Sequence, residues 1–251
     1  MRGRGGLRDS CLRRTVTPIP VSTSELQIMK PSENSNPETG SAEALIPPRA
    51  NLQELCQIAA GCRACDLWKR GTQTVFGEGS AHAKVMFVGE QPGDREDIEG
   101  KPFVGPAGRI LDEGLEAAAI NRDEVYVTNV VKHFRWVAAT RGKKRIHKKP
   151  RASEINACRP WLDAELARVQ PTVLVCLGAT AAQALLGKQF SVTRDRGSFV
   201  KSPLAPFVMA TVHPSSILRS PDSESRAAEM KMFIDDLKKI SRALKTNAKA
   251  A

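Results

Sequence analysis

Four short apolar runs, 84-KVMFVG-89, 125-VYVTNVV-131, 172-TVLVCLG-178 and 207-FVMATV-212, constrain the fold more than any other feature of the chain. Each is nearly continuous in apolar character rather than alternating, as a strand must be when helices cover both faces of its sheet. Helical patterns separate them at 107-AGRILDEGLEAAA-119, 153-SEINACRPWLDAELARV-169 and 179-ATAAQALLG-187, and a last one runs from about 224 to 245. In that last segment Met230, Phe233, Ile234, Leu237, Ile240 and Leu244 recur at three- and four-residue spacing, which gives it one apolar face. Strands alternating with helices predict an α/β fold, a three-layer α/β/α sandwich on a largely parallel sheet, in one domain spanning residues 49–248. Residues 1–48 read as a disordered tail, rich in Arg at the start and then in Pro, Ser, Thr, Asn and Glu without apolar periodicity.

In such sheets ligands bind past the carboxyl ends of the strands. The polar residues gather there: 89-GEQPGDRED-97 follows the first run, Asn129 lies near the end of the second, and 213-HPSSILR-219 follows the fourth. Gly and Pro in the first loop let backbone amides approach a ligand, while its carboxylates either orient water or form only a charged turn. The segment 100-GKPFVGPAG-108 adds a Gly-rich approach to a helix, with Phe103 either a core residue or a stacking surface for a base.

No stretch of 18 apolar residues is present, so a membrane-spanning helix is not expected. The formal charge is 38 − 27 = +11, which favours a polyanionic partner. That charge is concentrated: Val131 to Arg151 holds nine Lys or Arg and no acid, with 143-KKRIHKKP-150 at its centre. Cations around His147 should keep its imidazole neutral at pH 7 and therefore nucleophilic. Six cysteines are too few for a disulfide scaffold in a chain of 251 residues, so a reducing cytoplasm fits. Cys62-Arg-Ala-Cys65 is a spaced pair suited to iron or zinc, with Cys158 and His133 as candidate further ligands; Cys56 and Cys176 read as core thiols.

Taken in order, Cys62-x-x-Cys65, 89-GEQPG-93, 102-PFVGPAG-108, 128-TNVVKHF-134, 143-KKRIH-147, Cys158-Arg-Pro and 213-HPSSILR-219 resemble the uracil-DNA glycosylase superfamily. Within it they resemble the iron-sulfur type 4 enzymes, and among those the UdgX branch, over residues 50 to 240. The resemblance implies a central four-stranded parallel sheet, a structural 4Fe-4S cluster and a substrate of uracil-containing DNA. Single strands are the expected preference, on the physical ground that a flipped base is less costly to present from them. A monomer is the default expectation.

The resemblance makes Cys62, Cys65 and Cys158 cluster ligands, with His133 standing where ordinary type 4 enzymes carry a cysteine. It makes Glu90, Gln91, Asp94 and Asp97 the water-activating or charge-stabilising loop. Phe103 becomes the stacking platform, Asn129 the reader of the uracil edge, and His213 the donor to the departing base, with Gly89 and Ser215 beside the substrate. The insertion ending in Arg-Ile-His, and Gln91 where ordinary type 4 loops read Glu-Ala, match UdgX. In that branch the residue equivalent to His147 bonds to the sugar carbon and leaves a covalent protein–DNA adduct. Arg145, Lys143, Lys144, Lys148 and Lys149 would then neutralise phosphates. Two other readings remain open at this stage: an ordinary hydrolytic glycosylase in which His147 only contacts DNA, and a non-catalytic zinc module that binds nucleic acid.

Overall fold

A computed structural model describes residues 40–140 and 145–250, with side chains as far as residue 246. The four runs form the parallel strands β2 (Val85–Gly89), β3 (Val125–Asn129), β6 (Val173–Leu177) and β8 (Phe207–Thr211), in the order β3-β2-β6-β8. Two antiparallel strands of two residues each extend the sheet: β1 (Glu78–Gly79) beside β3, and β7 (Phe199–Val200) beside β8. The sequence pattern gives no sign of either, because two residues carry no periodicity. A separate hairpin, β4 (Trp136–Ala138) and β5 (Arg145–His147), pairs Trp136 with His147 and Ala138 with Arg145.

Burial on both faces follows from the helices. On one side Val85, Phe87, Val127 and Val175 pack against α3 (Pro106–Ala117) and α8 (Ser223–Ala250) through Leu111, Leu115, Phe233 and Leu237. On the other side Met86, Val88, Leu174 and Cys176 meet α1 (Leu52–Ala59), α4 (Ala152–Val169) and α5 (Ala179–Leu186) through Leu55, Trp161, Leu162 and Ala181. Each large side chain fully buried this way contributes about 1.5–3 kcal/mol relative to exposure. Three layers therefore form, as the near-continuous apolar strands require. Short helices α2 (Asp94–Glu99), α6 (Val192–Asp195) and α7 (Pro214–Ile217) fill the connections.

Local chemistry sets the helix starts. Asn51 accepts from Glu54 N at 3.0 Å and its own N–H donates to Glu54 Oε2 at 2.8 Å, a reciprocal cap that begins α1. Ordered structure begins before residue 49. Ala42 is fully buried and its N–H donates to Ala157 O at 2.9 Å, while Arg168 donates to the carbonyls of Pro48 and Ala50 at 2.6 Å. The rest of the expected tail, residues 1–39, lies outside the described residues, as do 141–144 with Lys143 and Lys144.

Candidate active site

The carboxyl ends of β2, β3, β6 and β8 bring the site residues together. Gly89 ends β2 directly opposite Asn129, which ends β3. A Cβ at position 89 would lie 2.3 Å from Asn129 Oδ1 and 2.9 Å from Phe103 Cζ, so only glycine leaves room for these two side chains to approach the strand. Asn129 is 3% exposed, and among the described residues its side-chain amide makes no hydrogen bond. The amide therefore stands free to meet a ligand with both a donor and an acceptor.

Phe103 adopts φ +56°, a left-handed conformation rare for a bulky residue. Its carbonyl is accommodated by Gly108, where a Cβ would come within 1.6 Å of the Phe103 oxygen. The Phe103 ring stacks on His213 with centroids 6.1 Å apart and planes at 27°. Both aromatics thus bound one cleft. His213 Nδ1 accepts from Ser215 N at 3.1 Å and lies 2.8 Å from Ser215 Oγ. With Nδ1 occupied as an acceptor, the neutral ring carries its proton on Nε2. Burial lowers its pKa to about 4, with the Arg219 guanidinium reinforcing the effect, so the ring is neutral at pH 7 and is a hydrogen-bond donor only through Nε2–H.

Glu90, the residue after Gly89, is held from α5: its Oε2 accepts from the Thr180 hydroxyl. Its Oε1 lies 3.5 Å from His147 Nε2. His147 is half-exposed, 5.9 Å from the Phe134 ring by centroids, and its pKa is lowered mainly by burial, with Glu90 opposing and Arg219 assisting. A neutral imidazole is therefore correct in direction. The chief cause differs from the sequence reading, since burial outweighs the neighbouring cations.

Gln91 is buried and ties down the hairpin. Its Nε2 donates to Arg135 O at 3.2 Å and Lys148 O at 3.1 Å, and its Oε1 accepts from Arg135 N at 3.2 Å. Arg145 is pinned to α2, with Nε on Asp94 Oδ1 at 2.5 Å, one Nη on Asp97 Oδ2 at 2.6 Å and the same Nη on Thr72 Oγ1 at 3.2 Å. Asp97 is fully buried, and its oxygens also accept from Thr72 N and Thr72 Oγ1. These contacts show Gln91, Asp94 and Asp97 holding the hairpin. Arg145 in turn is engaged by both carboxylates.

Beneath Asn129 lies a buried polar network. Lys132 Nζ meets Glu165 Oε2 at 2.5 Å, Thr128 Oγ1 at 2.6 Å and Asn129 O at 2.8 Å. Glu165 Oε1 accepts from Gly77 N and Tyr126 OH, both at 2.9 Å. Next to this network stand the cysteines. Cys62, Cys65 and Cys158 are all buried, Trp161 Nε1 donates to Cys62 Sγ at 3.3 Å, and Lys132 N donates to Cys158 Sγ at 3.2 Å. Burial pushes the Cys158 thiol up to about 12, opposed by the Lys132 ammonium, and raises Cys65 as well.

N–H groups aimed at sulfur suit ligating thiolates, whose charge they stabilise. Among the described residues no three His, Cys, Asp or Glu side chains converge as on a single ion. Cys158 interacts electrostatically with Cys62 and Cys65, and Cys65 with Cys62, so the three thiols share one buried region whose chemistry suits iron. His133 is buried with Nε2 2.9 Å from Thr74 Oγ1, and burial lowers its pKa to about 4. Cys176 is enclosed within β6, as a core thiol should be.

Two contributors went unassigned in the sequence. Thr180, which orients Glu90, gave no signal because its partner is 90 positions away. Arg219 donates to Ser215 Oγ at 3.1 Å, and the four-residue spacing on the segment after His213 was the available clue.

A model of the uracil DNA glycosylase superfamily matches residues 76–238. The chain belongs to this superfamily. The match takes in all four parallel strands and the cleft formed at their ends. The protein is 36% identical over 198 residues to a type-4 uracil-DNA glycosylase of Thermotoga maritima, covering 77% of this chain and 96% of that one. It is 35% identical over 198 residues to the type-4 enzyme of Sulfurisphaera tokodaii, covering 76% and 83%, and 33% identical over 204 residues to that of Archaeoglobus fulgidus, covering 76% and 92%. Among the described residues no helix is long and apolar enough to cross a membrane.

Proposed function

We propose that this protein is a UdgX-type uracil-DNA glycosylase that excises uracil and remains joined to the DNA through His147. The observation that carries the reading is the neutral His147 ring 3.5 Å from Glu90, on a hairpin fastened over the cleft. A flipped uracil would lie against Phe103, with its amide edge on Asn129 and an oxygen toward His213 Nε2–H. As the glycosidic bond breaks, its electron pair leaves with uracil, and the His213 donor stabilises the resulting anion until solvent protonates it. C1′ becomes cation-like, and Glu90 offsets the developing charge. A ring nitrogen of His147 then gives its lone pair to C1′, forming a C–N bond before water arrives. The imidazolium formed stands beside the Glu90 carboxylate. A bond of this kind offers no easy hydrolytic exit, so each molecule reacts once.

Cys62, Cys65 and Cys158, with His133 as the fourth ligand, would hold a 4Fe-4S cluster. When bound, the cluster would supply a structural cross-link between the Cys62–Cys65 loop, the segment after β3 that carries His133, and α4. Lys148 and Lys149, with Lys143 and Lys144 of the same basic run, would neutralise the DNA backbone. Single-stranded substrate, a monomeric protein and a cytoplasmic setting complete the reading.

The test is direct. Incubation with uracil-containing single-stranded DNA should yield a band resistant to SDS and heat, with a sugar-phosphate remnant on the tryptic peptide that holds His147. His147→Ser should abolish the band and restore repeated uracil release. An undiminished adduct in that variant rejects His147 as the attacking group, and many turnovers by the unmodified protein reject the trap altogether.

A further inference from the structure

Among the described residues the β4–β5 hairpin shares no ladder with the main sheet, and a lone two-stranded ribbon is marginal in water. Its geometry must be imposed from outside. Gln91 fastens its base, at Arg135 and Lys148, and Arg145 anchors one strand to Asp94 and Asp97. A third attachment belongs to neither the cleft nor the loop after β2. Trp136 Nε1 donates to Arg70 O at 2.9 Å, and Arg70 donates back to Trp136 O at 3.4 Å. The Arg70 guanidinium lies 5.8 Å from the indole centroid, and that of Arg145 lies 5.6 Å from it.

Trp136 is the residue directly opposite His147 in the hairpin register. Facing residues of an antiparallel pair have Cβ atoms about 4.5–5.5 Å apart on one face, so where Trp136 is held, His147 is held. Arg70 follows the 3-10 turn Asp66–Lys69, which leaves Cys65 directly. The segment that carries the cysteine pair thus grips the strand facing the nucleophile.

We infer that Trp136 and Arg70 are positioning residues that decide whether His147 or water takes the sugar after uracil departs. The inference rests on the covalent reading above. Displacing a reacting group by about 1 Å can cost on the order of 100-fold in rate, whereas attack by freely diffusing water is insensitive to hairpin position. Loosening the latch should therefore lower capture more than excision.

The readout is the partition ratio, adduct formed per uracil released, in single-turnover reactions with uracil-containing single-stranded DNA and the cluster-loaded protein. Unfolded molecules do neither, so loss of fold leaves the ratio untouched. Trp136→Ala and Arg70→Gln should each lower it by about tenfold. Trp136→Phe, which keeps a ring and loses the N–H, should fall between Trp136→Ala and the parent. If the parent protein forms adduct and Trp136→Ala and Arg70→Gln keep its ratio, the latch is overturned while the trap stands. If the parent forms no adduct, the covalent reading falls first, and the latch with it.

Discussion

Lys132→Met isolates the buried network under Asn129. The substitution leaves Glu165, fully buried, with Gly77 N, Tyr126 OH and the Thr128 hydroxyl as donors but without its cation. Removing one partner of a buried ion pair costs about 3–5 kcal/mol, because the remaining charge is uncompensated. Glu165→Gln should cost a similar amount. Its amide oxygen can still accept from Gly77 and Tyr126, but its NH2 would face the Lys132 ammonium, donor against donor. In the double variant neither charge remains, so the two losses should not add. The coupling should be at least about 2 kcal/mol.

At about 2–4 °C per kcal/mol for a domain of this size, each single variant should melt roughly 6–20 °C below the parent. Thermal melts of all four proteins by far-ultraviolet circular dichroism, under anaerobic conditions, measure this. Single variants within 2 °C of the parent, or losses that simply add, would show that the pair is neither desolvated nor coupled.

Three further outcomes follow from the site. Burial holds His147 below the ordinary histidine value, so its reactive neutral form persists to lower pH than that of a free imidazole. Single-turnover adduct formation should decline as pH falls, with its midpoint below the ordinary histidine value, and a midpoint at or above 6.5 contradicts the burial argument. Gly89→Ala should crowd Asn129 and Phe103 and reduce the single-turnover rate of uracil release by roughly 100-fold, with a smaller effect on melting temperature. Asp97→Asn removes a charged partner of Arg145 and should lower adduct yield more than uracil release, as quantified on denaturing gels against free uracil.

The frame was legible because it is written in local terms. Runs such as 173-VLVCL-177 announce strands buried on both faces, and the four expected helices fall within a few residues of their bounds. The hairpin was not legible. Its strands are three residues each, and what fixes them, Gln91 at 44 and 57 positions and Asp97 at 48, is remote in sequence. Helix α2 escaped notice for a related reason: six residues, four of them acidic, show no apolar face, and the cap comes from Glu96 reaching back to Gly93 N at 3.1 Å. Which residues would gather was readable, since Asn129, His213 and His147 all lie at the cleft past the strand ends. Roles were harder, because a carboxylate such as Asp97 looks the same in sequence whether it faces water or an arginine.

The hairpin's independence from the main ladder bears on how the proposed trap could arise or be transplanted. A ribbon docked only through side chains can be inserted without re-registering a single strand of the frame. The host must offer sockets: an amide at position 91, the acidic pair on α2, and an arginine just past the cysteine loop. Grafting the ribbon without them should yield an ordinary repair enzyme carrying an idle appendage.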